Sequence, residues 1–129
     1  MQYVDVVVGG QYGSEAKGHV VAQLLRRRVR QSFMDEIWNV RVAGPNAGHT
    51  AYDSAGNKFA FRSVPIGAII DDSIQLYIAP GSEIDPKVLK DEIELAAQFG
   101  HQTNNRFYIS QEATVITAEH IQAAPDLVQ

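Results

Sequence analysis

The sequence predicts an α/β domain: three layers, P-loop-like, with a largely parallel sheet. Three features carry that prediction. Short apolar runs have strand length, segments of helical period lie between them, and glycine-bearing turns follow where the runs end. The chain has 129 residues, enough for one domain with a modest core. Ligands of such sheets bind beyond the carboxyl ends of the strands, so those turns are where a site is expected.

The elements follow in order. Tyr3 to Val8 is a nearly continuous apolar run and reads as a strand covered on both faces. Lys17 to Val29 reads as a helix, with Val20, Val21, Leu24 and Leu25 on one face. Arg26, Arg27, Arg28 and Arg30 crowd its end, where cations suit the helix dipole and mark a solvated face. Trp38 to Val42 reads as the second strand. Ala51–Tyr52 and Lys58–Arg62 flank the turn-rich Asp53-Ser54-Ala55-Gly56-Asn57, which predicts a hairpin. Ile74 to Ala79 is a further strand that stops at Pro80-Gly81. Asp85 is an N-cap with Pro86 at the first helical position. The helix that follows carries Val88, Leu89, Ile93, Ala96 and Ala97 at helical spacing, and Gly100 is its C-terminal stop. Phe107 to Ser110 reads as a strand, and Thr117 to Ala124 as a helix closed by Pro125. No internal repeat or low-complexity stretch interrupts the pattern.

Composition narrows the class. Apolar content is 45% and the net charge is −4, with a pI of about 5.5. That balance argues against a nucleic-acid partner. There are no cysteines, which excludes disulfides and cysteine metal sites and fits a reducing compartment. No apolar run approaches the roughly 20 residues of a membrane helix, and the N-terminus lacks a signal-peptide pattern. A soluble, cytoplasmic protein without a membrane partner is the expectation.

The chemistry is concentrated in two loops. The first follows the opening apolar run: Gly9-Gly10-Gln11-Tyr12-Gly13-Ser14-Glu15-Ala16-Lys17-Gly18-His19. Glycines let backbone approach a phosphate closely, and a helix start offers unpaired N–H groups. Backbone from Gly13 through Ser14, Glu15, Ala16 and Lys17 to Gly18 is therefore a candidate phosphate cradle, with Lys17 as its mobile charge. A lysine at a helix start opposes the dipole, which favours an anion beside it. The match to the Walker pattern is incomplete. Ala16 precedes Lys17, and Gly18 stands where Ser or Thr would hold Mg²⁺. The competing reading is a plain glycine turn between strand and helix. The second loop, Arg41-Val42-Ala43-Gly44-Pro45-Asn46-Ala47-Gly48-His49-Thr50, also follows an apolar stretch.

Taken together, the two loops resemble adenylosuccinate synthetase. That family carries G-x-Q-W-G-D-E-G-K-G-K after its first strand and R-x-x-G-G-x-N-A-G-H-T after the next. This chain reads G-G-Q-Y-G-S-E-A-K-G-H and R-V-A-G-P-N-A-G-H-T. Weaker likeness continues through Ala79-Pro80-Gly81 and Ser110-Gln111-Glu112-Ala113. The resemblance spans nearly the whole chain but only the N-terminal part of the family enzyme. It implies that residues 1–129 form the N-terminal nucleotide-binding portion of a longer enzyme, and that this segment alone lacks the aspartate-binding and base-recognising parts.

What the resemblance implies for activity is a two-step ligation. A nucleoside triphosphate (ATP, dATP or GTP) phosphorylates the 6-oxo group of a purine nucleotide, and the amine of L-aspartate displaces that phosphate. Lys17 is then the charge stabiliser and His49 the general acid. Asn46, Ala47, His49 and Thr50 line the nucleotide phosphate. Mg²⁺ is the implied cofactor, on the Gly48 carbonyl and at position 14. A homodimer is also implied. His19, His101 and His120 receive no role.

Ser14 departs from the inosinate-using enzymes, which place an aspartate there as base and metal ligand. Serine is a poor base at ordinary pH. It resembles the phage-type branch that uses dGMP and makes N6-succinyl-2-amino-2′-deoxyadenylate, a reaction of the host cytoplasm. Ser14 leaves room beside a 2-amino group, so dGMP is the leading substrate expectation, and an IMP-using enzyme is the alternative. A non-catalytic nucleotide-binding module, and a P-loop NTPase of another type, remain as further alternatives; no Walker B aspartate is evident for the latter.

Overall fold

The computed structural model describes residues 4–7, 16–31, 36–44 and 48–116. Among them the elements run α1 (Ala16–Gln31), β1 (Ile37–Arg41), β2 (His49–Tyr52), β3 (Lys58–Phe61), a 3₁₀ turn (Ile66–Ile69), β4 (Ile74–Ile78), β5 (Glu83–Ile84), α2 (Pro86–Gln98), β6 (Phe107–Ile109) and β7 (Thr114–Val115). No helix among these residues is long and apolar enough to cross a membrane.

The main sheet has the order β1-β4-β6 and is parallel throughout. Ile37 pairs with Ile74 and Arg41 with Ile78, while Leu76 pairs with Phe107. Parallel neighbours need crossovers, which the hairpin and 3₁₀ turn supply between β1 and β4, and α2 between β4 and β6. Side chains alternate along a strand, so Ile74, Leu76 and Ile78 all point to one face. There Ile74 and Leu76 join Ala22 and Leu25 of α1, Phe59 and Phe61 of β3, Ile66 and Ile69 of the 3₁₀ turn, and Ala96 of α2, while Ile78 packs with Ala43 and Ile84 in a second, smaller cluster. The opposite face of β1 and β6 presents Trp38, Val40 and Tyr108 to solvent, with the Trp38 and Tyr108 rings 5.4 Å apart.

Local chemistry explains most element ends. The Asp85 carboxylate accepts from the Lys87 N–H at 3.0 Å, and Pro86 opens α2 behind it. At the other end the His101 N–H bonds the Ala96 carbonyl and the Gly100 N–H that of Ala97. Gly100 adopts φ +89°, the left-handed stop expected of it. The hairpin turn is organised by Asp53, which accepts from the Ala55 and Asn57 backbone and the Asn57 side chain.

Two expectations need correction. Residues 4–7 of the predicted first strand form no strand; Val4 is 87% and Val6 77% exposed. An apolar run reports a tendency to be covered, not a pairing partner. Here the segment is tied to α1 by the Arg28–Asp5 ion pair at 3.1 Å. Val20 also leaves the buried face of α1, because the helix turns Val21, Ala22, Leu25 and Val29 inward instead. The predicted helix Thr117–Ala124 lies outside the described residues.

Candidate functional site

The carboxyl end of β1 and the start of α1 meet across β2. The decisive contact is between Gly18 and Thr50. A Cβ added to Gly18 would fall 2.7 Å from the Thr50 backbone nitrogen and closer still to its carbonyl oxygen. Only a glycine lets the first turn of α1 lie this tightly on β2. The contact draws Lys17 and His49, the neighbours of those two residues, into one region. Farther along the same pair of elements, His19 stacks on Tyr52 and Arg26 bonds the Tyr52 carbonyl.

His49 opens β2 and is half-buried. Burial, then the charges of Arg41 and Lys17, push its imidazole down to about 4, so it is neutral at physiological pH. Arg41, the last residue of β1, is only 6% exposed. Its Nε and Nη2 donate to the Arg62 carbonyl at 3.2 and 2.9 Å, and its Nη1 contacts His49 Nε2. Burial lowers the Arg41 guanidinium to about 10, with Glu92 opposing, and it remains charged at neutral pH.

Glu92 lies on the inner face of α2 and is buried. Its Oε2 accepts from the Arg62 N–H at 2.6 Å, and its Oε1 from the Ser63 and Val64 N–H groups, both at 2.9 Å. A buried carboxylate must be satisfied, and three backbone donors do so here. The loop that leaves β1 is pinned in the same way. The Ser82 hydroxyl accepts from the Ala43 N–H at 2.9 Å, and the Glu83 N–H donates to the Ala43 carbonyl at 2.9 Å. The two segments of weaker likeness, 79–81 and 110–113, lie side by side just past β4 and β6. The Ser110 N–H bonds the Ile78 carbonyl, and Thr114 that of Ser82.

Of the residues singled out from the sequence, Lys17, Gly18, His49 and Thr50 are brought together, and Gly48 is exposed beside them. Ala16 begins α1. Gly13, Ser14, Glu15, Asn46 and Ala47 lie outside the described residues. No group of three or more His, Asp or Glu side chains suited to a metal occurs among the described residues. Mg²⁺ seldom sits in an all-protein cage and is commonly held through phosphate oxygens, which suits a carbonyl such as that of Gly48 as a single protein ligand. Sequence reasoning passed over Arg41 and Glu92 as site residues. It also gave His101 no role, yet its Nε2 lies 2.8 Å from buried Asp53. The signal for Glu92 was a carboxylate among Leu89, Ile93 and Ala96 on an otherwise apolar helix face.

A parallel sheet with two glycine-bearing segments drawn together past its first strand is the architecture of a nucleotide-handling α/β domain. The family profile described as adenylosuccinate synthetase matches residues 6–125, and the chain belongs to that family. The adenylosuccinate synthetase of Bacteroides fragilis is 36% identical over 117 residues, which are 91% of this chain and 26% of that protein. The Archaeoglobus fulgidus enzyme is 33% identical over 118 residues, 92% of this chain and 32% of that protein. The chain thus spans about a quarter to a third of the length of these relatives. Among solved structures, fully ligated adenylosuccinate synthetase from Plasmodium falciparum superposes with a TM-score of 0.67 at 27% identity, covering 91% of this chain and 25% of that one. Succinoaminodeoxyadenylate synthetase of cyanophage S-2L, bound to dGMP and dATP, gives 0.55 at 24% identity over 84% of this chain and 29% of that one. At that identity the second likeness speaks for fold alone.

Proposed function

We propose that this chain carries out the phosphate-handling part of a ligation that joins L-aspartate to the 6-position of a purine nucleotide. The observation that supports it most is the packing of Gly18 on Thr50, which sets a lysine and a neutral histidine at one place. Oxide is a poor leaving group, so a triphosphate first phosphorylates the purine 6-oxygen. The aspartate amine then displaces phosphate. Phosphoryl transfer needs positioning and charge stabilisation more than covalent help. Lys17 would neutralise charge on the transferring group, while backbone N–H groups of residues 13–18 hold its oxygens. A neutral imidazole has one N–H donor, and His49 would aim it as a hydrogen bond at the leaving oxygen, in place of the proton transfer the resemblance implies. Asn46, Ala47 and Thr50 would border the nucleotide phosphate. The Gly48 carbonyl and Ser14 would hold Mg²⁺, which when bound offsets the charge of the phosphate oxygens.

The likeness to adenylosuccinate synthetases supports IMP as the purine, and a cytoplasmic homodimer using GTP or ATP goes with that reading. One residue favours a second reading. Ser14 stands where an inosinate enzyme is expected to carry a carboxylate, and a serine side chain is small enough to suit the 2-amino group of dGMP. The test has two arms. Residues 1–129 are titrated with Mg²⁺ and GTP or ATP, and the amide signals of Lys17, His49 and Thr50 are followed by NMR. Unmoved signals would refute phosphate binding at this site. The longest available form of the protein is then incubated with triphosphate, aspartate and either IMP or dGMP, and products are weighed by mass spectrometry. Ser14→Asp should lower the ratio of kcat/KM for dGMP over IMP. A ratio that is unchanged or raised removes Ser14 as the determinant of purine choice, and a wild type that prefers IMP removes the dGMP reading.

A further inference from the structure

We propose that Arg41 is a positioning residue for His49: its Nη1 holds the imidazole as an acceptor at Nε2, so that Nδ1 carries the proton presented to the phosphate. The inference rests on the reading of His49 as the hydrogen-bond donor to the leaving oxygen of the ligation. Its physical basis is the chemistry of the two side chains. A guanidinium has donors only, so the ring nitrogen it meets must offer a lone pair. A neutral imidazole has one N–H, and with Nε2 accepting, that N–H is on Nδ1. Neutral histidine in water prefers the opposite tautomer, with the proton on Nε2. The contact therefore selects the minor form and points its N–H away from the arginine.

The arginine is itself held from two directions. Nε and Nη2 both donate to the Arg62 carbonyl, fixing the plane of the fork. The Arg62 N–H is in turn gripped by Glu92, which also takes the Ser63 and Val64 N–H groups. Glu92 also supports the charged form of buried Arg41 electrostatically. A chain of contacts thus runs from α2 through the 62–64 backbone to Arg41 and then to the imidazole. The orientation of His49 depends on an element far from the phosphate loop in sequence. An arginine serving the fold can spend its hydrogen bonds on backbone carbonyls, as Arg106 does on those of Gln102, Asp71, Ile74 and Ala68, with the Asp72 carboxylate 3.9 Å from its Nη2. Arg41 directs one at the histidine of the N-A-G-H-T motif.

The test reads the tautomer directly. The protein is labelled with ¹⁵N in its histidine rings, and two-bond proton–nitrogen spectra report which ring nitrogen of His49 is protonated. Wild type is expected to show Nδ1–H with Nε2 bare. Arg41→Met should shift the population to mainly Nε2–H, whereas Arg41→Lys, which retains a donor, should keep Nδ1–H. A wild-type spectrum with Nε2–H overturns the proposal and needs no variant to fold. So does an unchanged tautomer in folded Arg41→Met. In the longest available form, Arg41→Met should lower kcat about 10²-fold with little change in KM, as loss of reactive geometry does. Normal kcat with a shifted tautomer overturns the positioning role. A wild type without ligation overturns the ligase reading instead, and the tautomer spectra still decide whether Arg41 sets the imidazole.

Discussion

Gly18→Ala tests whether α1 and β2 are locked together as the geometry requires. The added methyl carbon would meet the Thr50 nitrogen at 2.7 Å, against an ordinary carbon contact of roughly 3.5–4.0 Å. The obstacle is backbone, so it cannot swing aside as a flexible side chain would. α1 and β2 must separate by about 1 Å. Forcing a methyl into a packed contact costs about 1–3 kcal/mol. Alanine's better helix propensity returns up to about 1 kcal/mol. The net expectation is a loss of roughly 1–2 kcal/mol, read as a lower urea midpoint with an unchanged m-value. The functional effect should be larger, because a displacement near 1 Å between reacting groups can cost about 10²-fold in rate. Val20→Ala, on the exposed side of the same helix, is the control and should stay within about 0.5 kcal/mol of wild type. If Gly18→Ala is as stable as wild type and leaves the Thr50 and His49 amide signals in place, the close packing of α1 on β2 is wrong. Lys17 and His49 are then not brought together by that contact.

Other expectations follow from the same structure. Glu92→Gln leaves an amide N–H₂ facing one of three backbone donors and should cost about 1–3 kcal/mol; an unchanged thermal midpoint would show that the carboxylate does not hold residues 62–64. Burial raises Asp53, but hydrogen bonds from His101 and Asn57 outweigh it and hold the carboxyl at about 2, below its unfolded value of roughly 3.9. A depressed carboxyl stabilises the fold above the unfolded value, and the contribution is lost as pH falls from about 4 toward 2. Urea midpoints at pH 5, 3 and 2 should therefore fall more steeply for wild type than for Asp53→Asn, and parallel slopes would contradict the assignment. Lys17→Ala should lower turnover about 10²–10³-fold in the longest available form, with the thermal midpoint unchanged; turnover within about threefold of wild type would make Lys17 a surface residue.

The elements legible in the sequence are those specified by neighbouring residues. Asp85, Pro86 and Gly100 bound α2 through caps that need only a few residues on either side. The hairpin at 53–57 is announced by its turn residues, and its aspartate supplies the expected local bonds. What the sequence conceals depends on distant partners. Arg41 and Arg62 are 21 residues apart, and Glu92 reaches a loop about 30 residues away. The 3₁₀ turn at 66–69 carries no helical period because it is buried throughout, and Gly67 is there to admit the Ile74 and Asn39 side chains. The run at 3–8 misled for the opposite reason. Its hydrophobicity is real, but pairing is not encoded in hydrophobicity.

The site illustrates how a short motif depends on residues outside it. N-A-G-H-T identifies His49, yet the histidine's environment is set by Arg41 before the motif's loop and by Glu92 beyond three further strands. Burial alone would hold the imidazole neutral, and the two nearby cations reinforce that state. Those same cations make the region attractive to an anion, since nothing in the motif itself carries a negative charge. Besides the phosphate contact proposed for it, the glycine at position 18 has a packing role. By letting α1 rest on Thr50, it brings the lysine of one loop to the histidine of the other. An alanine or serine there could still start a helix, but it would separate Lys17 from His49.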